Sequence, residues 1–197
     1  MNPVYLIPLG LIIVFVIIDQ VARRRSVSKA ARMFERGDYE SLLAYLETTY
    51  VRMFYPRYNR MYMQFKTLDA NNEIDAAAEV LDMLYVSKPS DEQRADLLVV
   101  AFEFYLRNLM RDKAEVTLRR IQDTPSLAPV ATELETLFDI MENKSASHID
   151  EMKSQLKDAD APTRRRLLTL IAKQYENAGN PAEAAHYRSL LKNGDGR

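Results

Sequence analysis

Residues 167–191 read "LLTLIAKQYENAGNPAEAAHYRSLL". Leu168, Ile171, Ala172 and Tyr175 recur at three- and four-residue spacing before the central "NAGNP", and Ala184 and Leu191 follow it. Such spacing puts the apolar residues on one face of each of two helices. Glycine commonly ends a helix and proline commonly opens the next, so Gly179 and Pro181 mark a tight helical hairpin. A hairpin of this size cannot bury its apolar stripe alone, and it calls for further copies beside it.

Those copies are present. The same break recurs as "ERGDYESLL" at Gly37, "DANNEIDAA" at Asn72, "NLMRDKAEV" around Leu109 and "MENKSASHI" at Asn143. Counted through to Gly179, the separations are 35, 37, 34 and 36 residues. Each break is flanked by the same periodicity. Met61, Phe65 and Leu68 precede Asn72, and Ala77, Leu81 and Leu84 follow it; Ala101, Phe102 and Tyr105 precede Leu109, and Ala114, Leu118 and Ile121 follow it. Around Gly37 the set is Ala30 and Met33, then Leu42 and Leu46. The fourth unit is degenerate, with Leu134 and Phe138 before and Ile149, Met152 and Leu156 after, and no small residues in register. A period near 35 with one turn in each unit predicts an all-α array of helix–turn–helix repeats.

This pattern resembles the tetratricopeptide repeat family, most clearly at residues 167–191 and next in "AARMFERGDYESLLAYL", residues 30–46. The resemblance covers residues 23–197 and implies a right-handed solenoid of about five repeats. In that family the first helix of each unit lines a concave groove that takes extended peptides or partner helices. The matching faces here carry Asn59, Tyr62 and Lys66 in the second unit, Glu103 and Arg107 in the third, and Arg166, Lys173 and Asn177 in the last. Lys66 with Asn59, and Lys173 with Arg166, could grip a peptide carboxylate through charge-assisted hydrogen bonds. Taken singly, each is equally an ordinary solvated charge on a helical face.

Ahead of the repeats stands "VYLIPLGLIIVFVII", residues 4–18, without a charge. Fifteen residues of helix cover about 22 Å against roughly 30 Å of hydrocarbon. Extending the stretch through residue 22, with Arg23, Arg24 and Arg25 snorkelling to the headgroups, makes a span feasible. A cleaved signal would carry positive charge before the run, but no Lys or Arg precedes Arg23, and "DQVARRR" is a poor cleavage site. Residues 1–22 are therefore expected to be a transmembrane anchor and 23–197 the repeat domain. Arg23, Arg24, Arg25, Lys29, Arg32 and Arg36 all follow the run, which places the N-terminus outside and the repeats in the cytoplasm. The layout is similar to that of bacterial repeat proteins of lipopolysaccharide assembly. Those continue into a cysteine-based metal module, and with no cysteine here no such role carries over.

Composition narrows the chemistry. The net charge of −1 hides a basic stretch over 19–66 (net +5), an acidic one over 67–161 (net −10) and a basic end over 162–197 (net +4). The basic stretch adjoins the apolar run and suits an anionic membrane surface. It is too weak for nucleic acid to be the main partner. No glycine-rich phosphate loop is present. His148 and His186 are the two histidines, and they are not at metal-ligand spacing. Carboxylate pairs such as Asp69–Glu73 and Asp112–Glu115 read as solvated faces.

"YVRMFYPRYNRMYMQF", residues 50–65, interleaves Arg52, Arg57 and Arg60 with six aromatics. It reads as packing of two helices across Pro56, as a membrane or partner contact, or as a stacking platform for bases. The expectation is a non-enzymatic, membrane-anchored adaptor for a protein or peptide, without cofactor, metal, nucleic acid or small-molecule substrate. A structural or assembly-factor subunit of a membrane complex is the alternative. An extracytoplasmic chaperone-like repeat protein is a third reading, against which the arginine cluster argues.

Overall fold

The computed structural model describes the backbone of residues 6–193 and the side chains of residues 19–192. Among these the protein is all-α, with eleven α-helices covering 81% and no strand. The chain divides into two compact units, Met1–Arg94 and Ala95–Arg197.

The first unit holds α1 (Leu6–Glu35), α2 (Tyr39–Glu47), α3 (Thr49–Phe54), α4 (Arg57–Ala70) and α5 (Ile74–Val86). Helix α6 (Asp91–Arg107) starts at its end and continues into the second unit. There follow α7 (Arg111–Gln122), a 3-10 turn at Pro125–Leu127, α8 (Ala128–Met141), α9 (Ile149–Gln155), α10 (Ala161–Asn177) and α11 (Pro181–Asn193). Apart from α3, the helices follow one another in pairs joined by a turn: α1–α2, α4–α5, α6–α7, α8–α9 and α10–α11; α4 packs closely on α5 and α10 on α11, whereas α8 and α9 each pack on α10.

The five turns within these pairs share one backbone feature. Gly37, Asn72, Leu109, Lys144 and Gly179 each adopt a left-handed conformation, with φ between 54° and 71°. Four of the turns also share a hydrogen-bond pattern. The amide after the left-handed residue reaches back five residues: Asp38 N–H to the Met33 carbonyl (3.1 Å), Glu73 to Leu68 (2.9 Å), Met110 to Tyr105 (2.9 Å) and Asn180 to Tyr175 (2.8 Å). This closure satisfies carbonyls that the helix end leaves open. In the fourth turn the left-handed residue is Lys144 rather than Asn143, and a further one, Lys88 (φ 57°), lies between α5 and α6.

That fourth pair departs in a second way. The Ser145 N–H reaches back to the Asp139 carbonyl at 3.1 Å, six residues away, so the loop between α8 and α9 is wider. It lacks glycine, and neighbouring helices brace it. Asn177 donates its amide to the carbonyls of Ile140 (2.8 Å) and Ser145 (3.0 Å), and the fully buried Gln174 accepts from the His148 N–H (2.9 Å). From the outer side Arg111 donates to the Glu142 carbonyl and to Asn143 Oδ1, both at 2.8 Å.

Each unit has its own core. In the first, Ala30, Leu42, Leu46, Val51 and Tyr55 form one cluster, with Phe34 and Met63 against it. Helices α4 and α5 bury Phe65, Leu68, Ala77, Leu81 and Leu84. On α1, Ala22, Ser26 and Ala30 are buried at four-residue intervals, and these small residues let neighbouring helices approach closely. In the second unit Phe102 and Phe138 lie 6.4 Å apart, and Ile140, Met152, Leu167 and Ile171 join α8, α9 and α10. Each fully buried leucine or isoleucine removed from water contributes about 1.5–3 kcal/mol.

No helix among the described residues is long and apolar enough to cross a membrane. The expected span, residues 1–22, lies outside the described side chains up to residue 18. Backbone helix runs without a break from Leu6 to Glu35.

Candidate functional site

In the first unit two surfaces carry the predicted residues. On α4, Asn59 and Lys66 are exposed and Tyr62 is half-buried. Tyr62 stacks on Tyr58, with rings 6.3 Å apart and nearly parallel, and leans on Phe65 at 6.2 Å. The Tyr58 hydroxyl donates to the Gln93 carbonyl at 3.1 Å, which holds this stack in place. The Lys66 ammonium lies 5.7 Å from the Phe34 ring centre, a cation–π geometry. Asn59, Tyr62 and Lys66 follow one another at three and four residues, so they form one stripe along α4.

The aromatic-basic stretch, residues 50–65, splits between packing and surface. Tyr55 and Phe65 are buried, and burial pushes the Tyr55 phenol above its usual range, with Tyr45 adding to the effect. Arg60 packs inward and bonds Glu47 at 3.1 Å. Arg52 and Arg57 remain exposed, as do Tyr50 and Met53.

The second surface is at the start of the described side chains. Arg23 pairs with Asp19 at 2.8 Å, one turn back on α1. Arg24 and Arg25 turn elsewhere. With Ser28, Lys29, Arg32, Tyr45 and Tyr50 they line an open concavity of about 620 Å³. The Lys29 ammonium sits 4.3 Å from the Tyr45 ring centre. The three consecutive arginines that looked equivalent in the sequence are thus divided by the helical turn.

In the second unit Glu103 and Arg107 are exposed on α6. Arg166 and Lys173 lie two turns apart on α10, about 10.5 Å along its axis, and line separate clefts. Arg166 borders a cleft of about 360 Å³ among α8, α9 and α10, with Thr132, Glu133, Met152 and Leu170. Its guanidinium is bonded to Glu133. Lys173 borders a cleft of about 420 Å³ between α10 and α11. There Glu176 receives Lys173 at 3.8 Å and also Arg188. The two cations expected to share one carboxylate are each paired with a carboxylate of their own. Such surface pairs are worth about 0–1 kcal/mol, so an acidic partner could exchange them at little cost. Asn177 is half-buried and its amide braces the α8–α9 loop.

Sequence reading missed the polar cluster around that loop. His148 Nε2 lies 3.1 Å from Asp139 Oδ2. Hydrogen bonds, first from Asn143, then from Ser145 and His148, hold the Asp139 carboxyl below the usual carboxylate range. On the neighbouring face the Lys153 ammonium donates to the Tyr175 hydroxyl at 2.5 Å and lies over the stacked rings of Tyr175 and Tyr187. The Tyr175 hydrogen bond raises the Lys153 pKa. No signal in the sequence links residues nine or twenty-two positions apart; only the packing of α8 and α9 on α10 brings them together. His186 is exposed and stands edge-on to Tyr187 at 5.3 Å. Among the described residues no cluster of His, Cys, Asp and Glu is arranged to hold a metal ion.

No family model, curated protein or solved structure matches the chain.

Proposed function

We propose that this protein is a membrane-anchored, tetratricopeptide-like scaffold or adaptor that holds a protein partner beside the cytoplasmic face of a membrane. One observation carries the reading. Five turns carry a left-handed residue at intervals of 35, 37, 35 and 35 residues, and four of them share one closing hydrogen bond, which supports a hairpin repeated along the chain. Stacked hairpins of this kind make an extended right-handed solenoid whose first helices line a continuous surface. The exposed side chains on those helices, Asn59, Lys66, Glu103, Arg107 and Arg166, would recognise the partner, with Tyr62 and Lys173 at the edges of the contact. Asn177 acts by bracing the α8–α9 loop. The apolar run 4–18 anchors the chain, and tethering raises the partner's effective concentration at the membrane without new contacts.

The test is site-specific photo-crosslinking in cells, with the probe in place of Tyr62 or Lys173 in the full chain. One cytoplasmic protein captured from both positions, and competed by a single peptide, supports the adaptor. A catch confined to extracytoplasmic proteins reverses the topology and sinks the reading. A second reading, a structural subunit of a membrane complex, is favoured by the large apolar side chains exposed in the first unit: Met53 at 69%, Met83 at 47% and Val86 at 78%. It predicts capture of membrane-complex subunits, chiefly from probes placed within residues 50–65.

A further inference from the structure

A concavity lies beside the last third of α1, apart from the surfaces on α4 and α10. Four cations line it: Arg24, Arg25, Lys29 and Arg32, with Ser28, Tyr45 and Tyr50 and no carboxylate. Asp19 lies on another side of the helix, bonded to Arg23. Glu47, the acidic residue at the end of α2, is turned to Arg60. The field in the concavity is therefore positive and unopposed by its own walls. Ser28 adds a hydroxyl donor and the two tyrosines add phenols. Guanidinium groups with hydroxyls and amphipathic rings match a phosphate diester at a lipid–water boundary.

Position selects the source of that phosphate. Helix α1 is continuous from Leu6, and its first part carries the uncharged run 4–18. At 1.5 Å per residue, Arg24 and Arg25 stand about 9–10 Å along the axis beyond Ile18, and Lys29 and Arg32 about 16–21 Å. A headgroup layer is about 5–7 Å deep on each side of the hydrocarbon, and a tilt of about 20° is ordinary. Long arginine side chains at 24 and 25 reach that layer directly; Lys29 and Arg32 act through the surface potential, which decays over about 8–10 Å. Helix α3 packs on α1 and presents Tyr50, 47% exposed, to the concavity.

We propose that this concavity binds the headgroups of anionic phospholipids, fixing how the body is oriented on the membrane surface. The inference rests on the membrane-anchor reading for its location, and it adds the lipid class and the residues that select it. Cations near such a surface each contribute about fivefold to partitioning, less with distance. The ordering follows: Arg24 and Arg25 dominate, then Lys29, then Arg32.

The chain contains no tryptophan, so Tyr50→Trp in the full-length protein gives a single fluorescent reporter at the concavity. The protein is mixed with vesicles of phosphatidylcholine alone, or of phosphatidylcholine with phosphatidylglycerol, each with brominated acyl chains. Sedimentation with neutral vesicles reports the anchor. Quenching at position 50 reports the docked face. The expected result is quenching that rises at least tenfold in apparent affinity with phosphatidylglycerol, weakens with salt, and falls most in Arg24→Gln/Arg25→Gln and least in Arg32→Gln. Equal quenching by neutral and anionic vesicles overturns the proposal while leaving the anchor intact. Loss of sedimentation with neutral vesicles removes the anchor, yet salt-sensitive quenching by anionic vesicles would still uphold the lipid face. A response to a soluble polyanion such as inositol hexakisphosphate, without one to anionic vesicles, would overturn it in favour of a soluble ligand. Helical circular dichroism of each variant shows whether the fold is retained.

Discussion

Leu109 sits at φ 57° and is 83% exposed. A left-handed leucine is strained by its own Cβ, at about 1–2 kcal/mol, and little packing offsets that strain. Leu109→Gly is expected to raise stability by about 1 kcal/mol, after the greater chain entropy of glycine is subtracted. The reverse holds at Gly37 and Gly179, whose φ values are +71° and +70° and whose absent Cβ would meet nothing within 4 Å. Alanine there costs backbone strain alone, so Gly179→Ala should destabilise by about 1 kcal/mol. Urea unfolding monitored by circular dichroism checks both signs. If Leu109→Gly destabilises, the left-handed turn is not what limits the third hairpin.

At the scale of elements, the α8–α9 hairpin is held by side chains where its siblings rely on their turn. Asn177→Ala leaves the Ile140 and Ser145 carbonyls without this donor, and each half-buried group so abandoned costs about 1–3 kcal/mol. Faster amide exchange in residues 142–155, with α4 and α5 unchanged, is the expected result. The same loop should respond to acid. The Asp139 carboxyl is held below its ordinary value by Asn143, Ser145 and His148. A depressed carboxyl adds stability that is complete above its unfolded-state pKa and lost as pH falls through the folded one. Loop protection should therefore be flat near neutrality and decline below about pH 4. Asp139→Asn should flatten that decline. Lys153 works in the opposite sense: its pKa is raised by Tyr175, so its contribution is complete below about pH 10.5 and fades as pH rises through the folded value.

For the whole molecule, two compact units, each with a buried cluster of its own, predict local rather than global responses to core damage. Leu81 and Ile171 are both fully buried, and truncation of either to alanine should cost about 2–5 kcal/mol. Hydrogen exchange should place the loss from Leu81→Ala in α4 and α5, and the loss from Ile171→Ala in α8 to α10. Uniform loss across both units in either variant would show a single cooperative block and would weaken the repeat reading, because stacked hairpins share stability chiefly with neighbours.

The sequence by itself determined the all-α class and the approximate place of the five turns, because those follow from local physics: three- and four-residue periodicity, glycine at Gly37 and Gly179, and proline at Pro181. It also located the basic stretch beside the apolar run. It placed a helix on each side of Pro56 but gave no sign of the break at Thr48 that separates the six-residue α3 from α2, because six residues show too little periodicity to stand out. Only the tertiary structure decided which polar groups work inside the protein. Asn177 and Arg166 look alike as exposed polar positions on one helix face, yet one braces two carbonyls and the other borders an open cleft. His148 and Asp139, or Lys153 and Tyr175, meet only because α8 and α9 both pack on α10. The turn of a helix, about 100° per residue, points Arg23 away from Arg24 and Arg25, but only the packing of α2 and α3 on α1 places Tyr45 and Tyr50 beside the latter two and makes a concavity there.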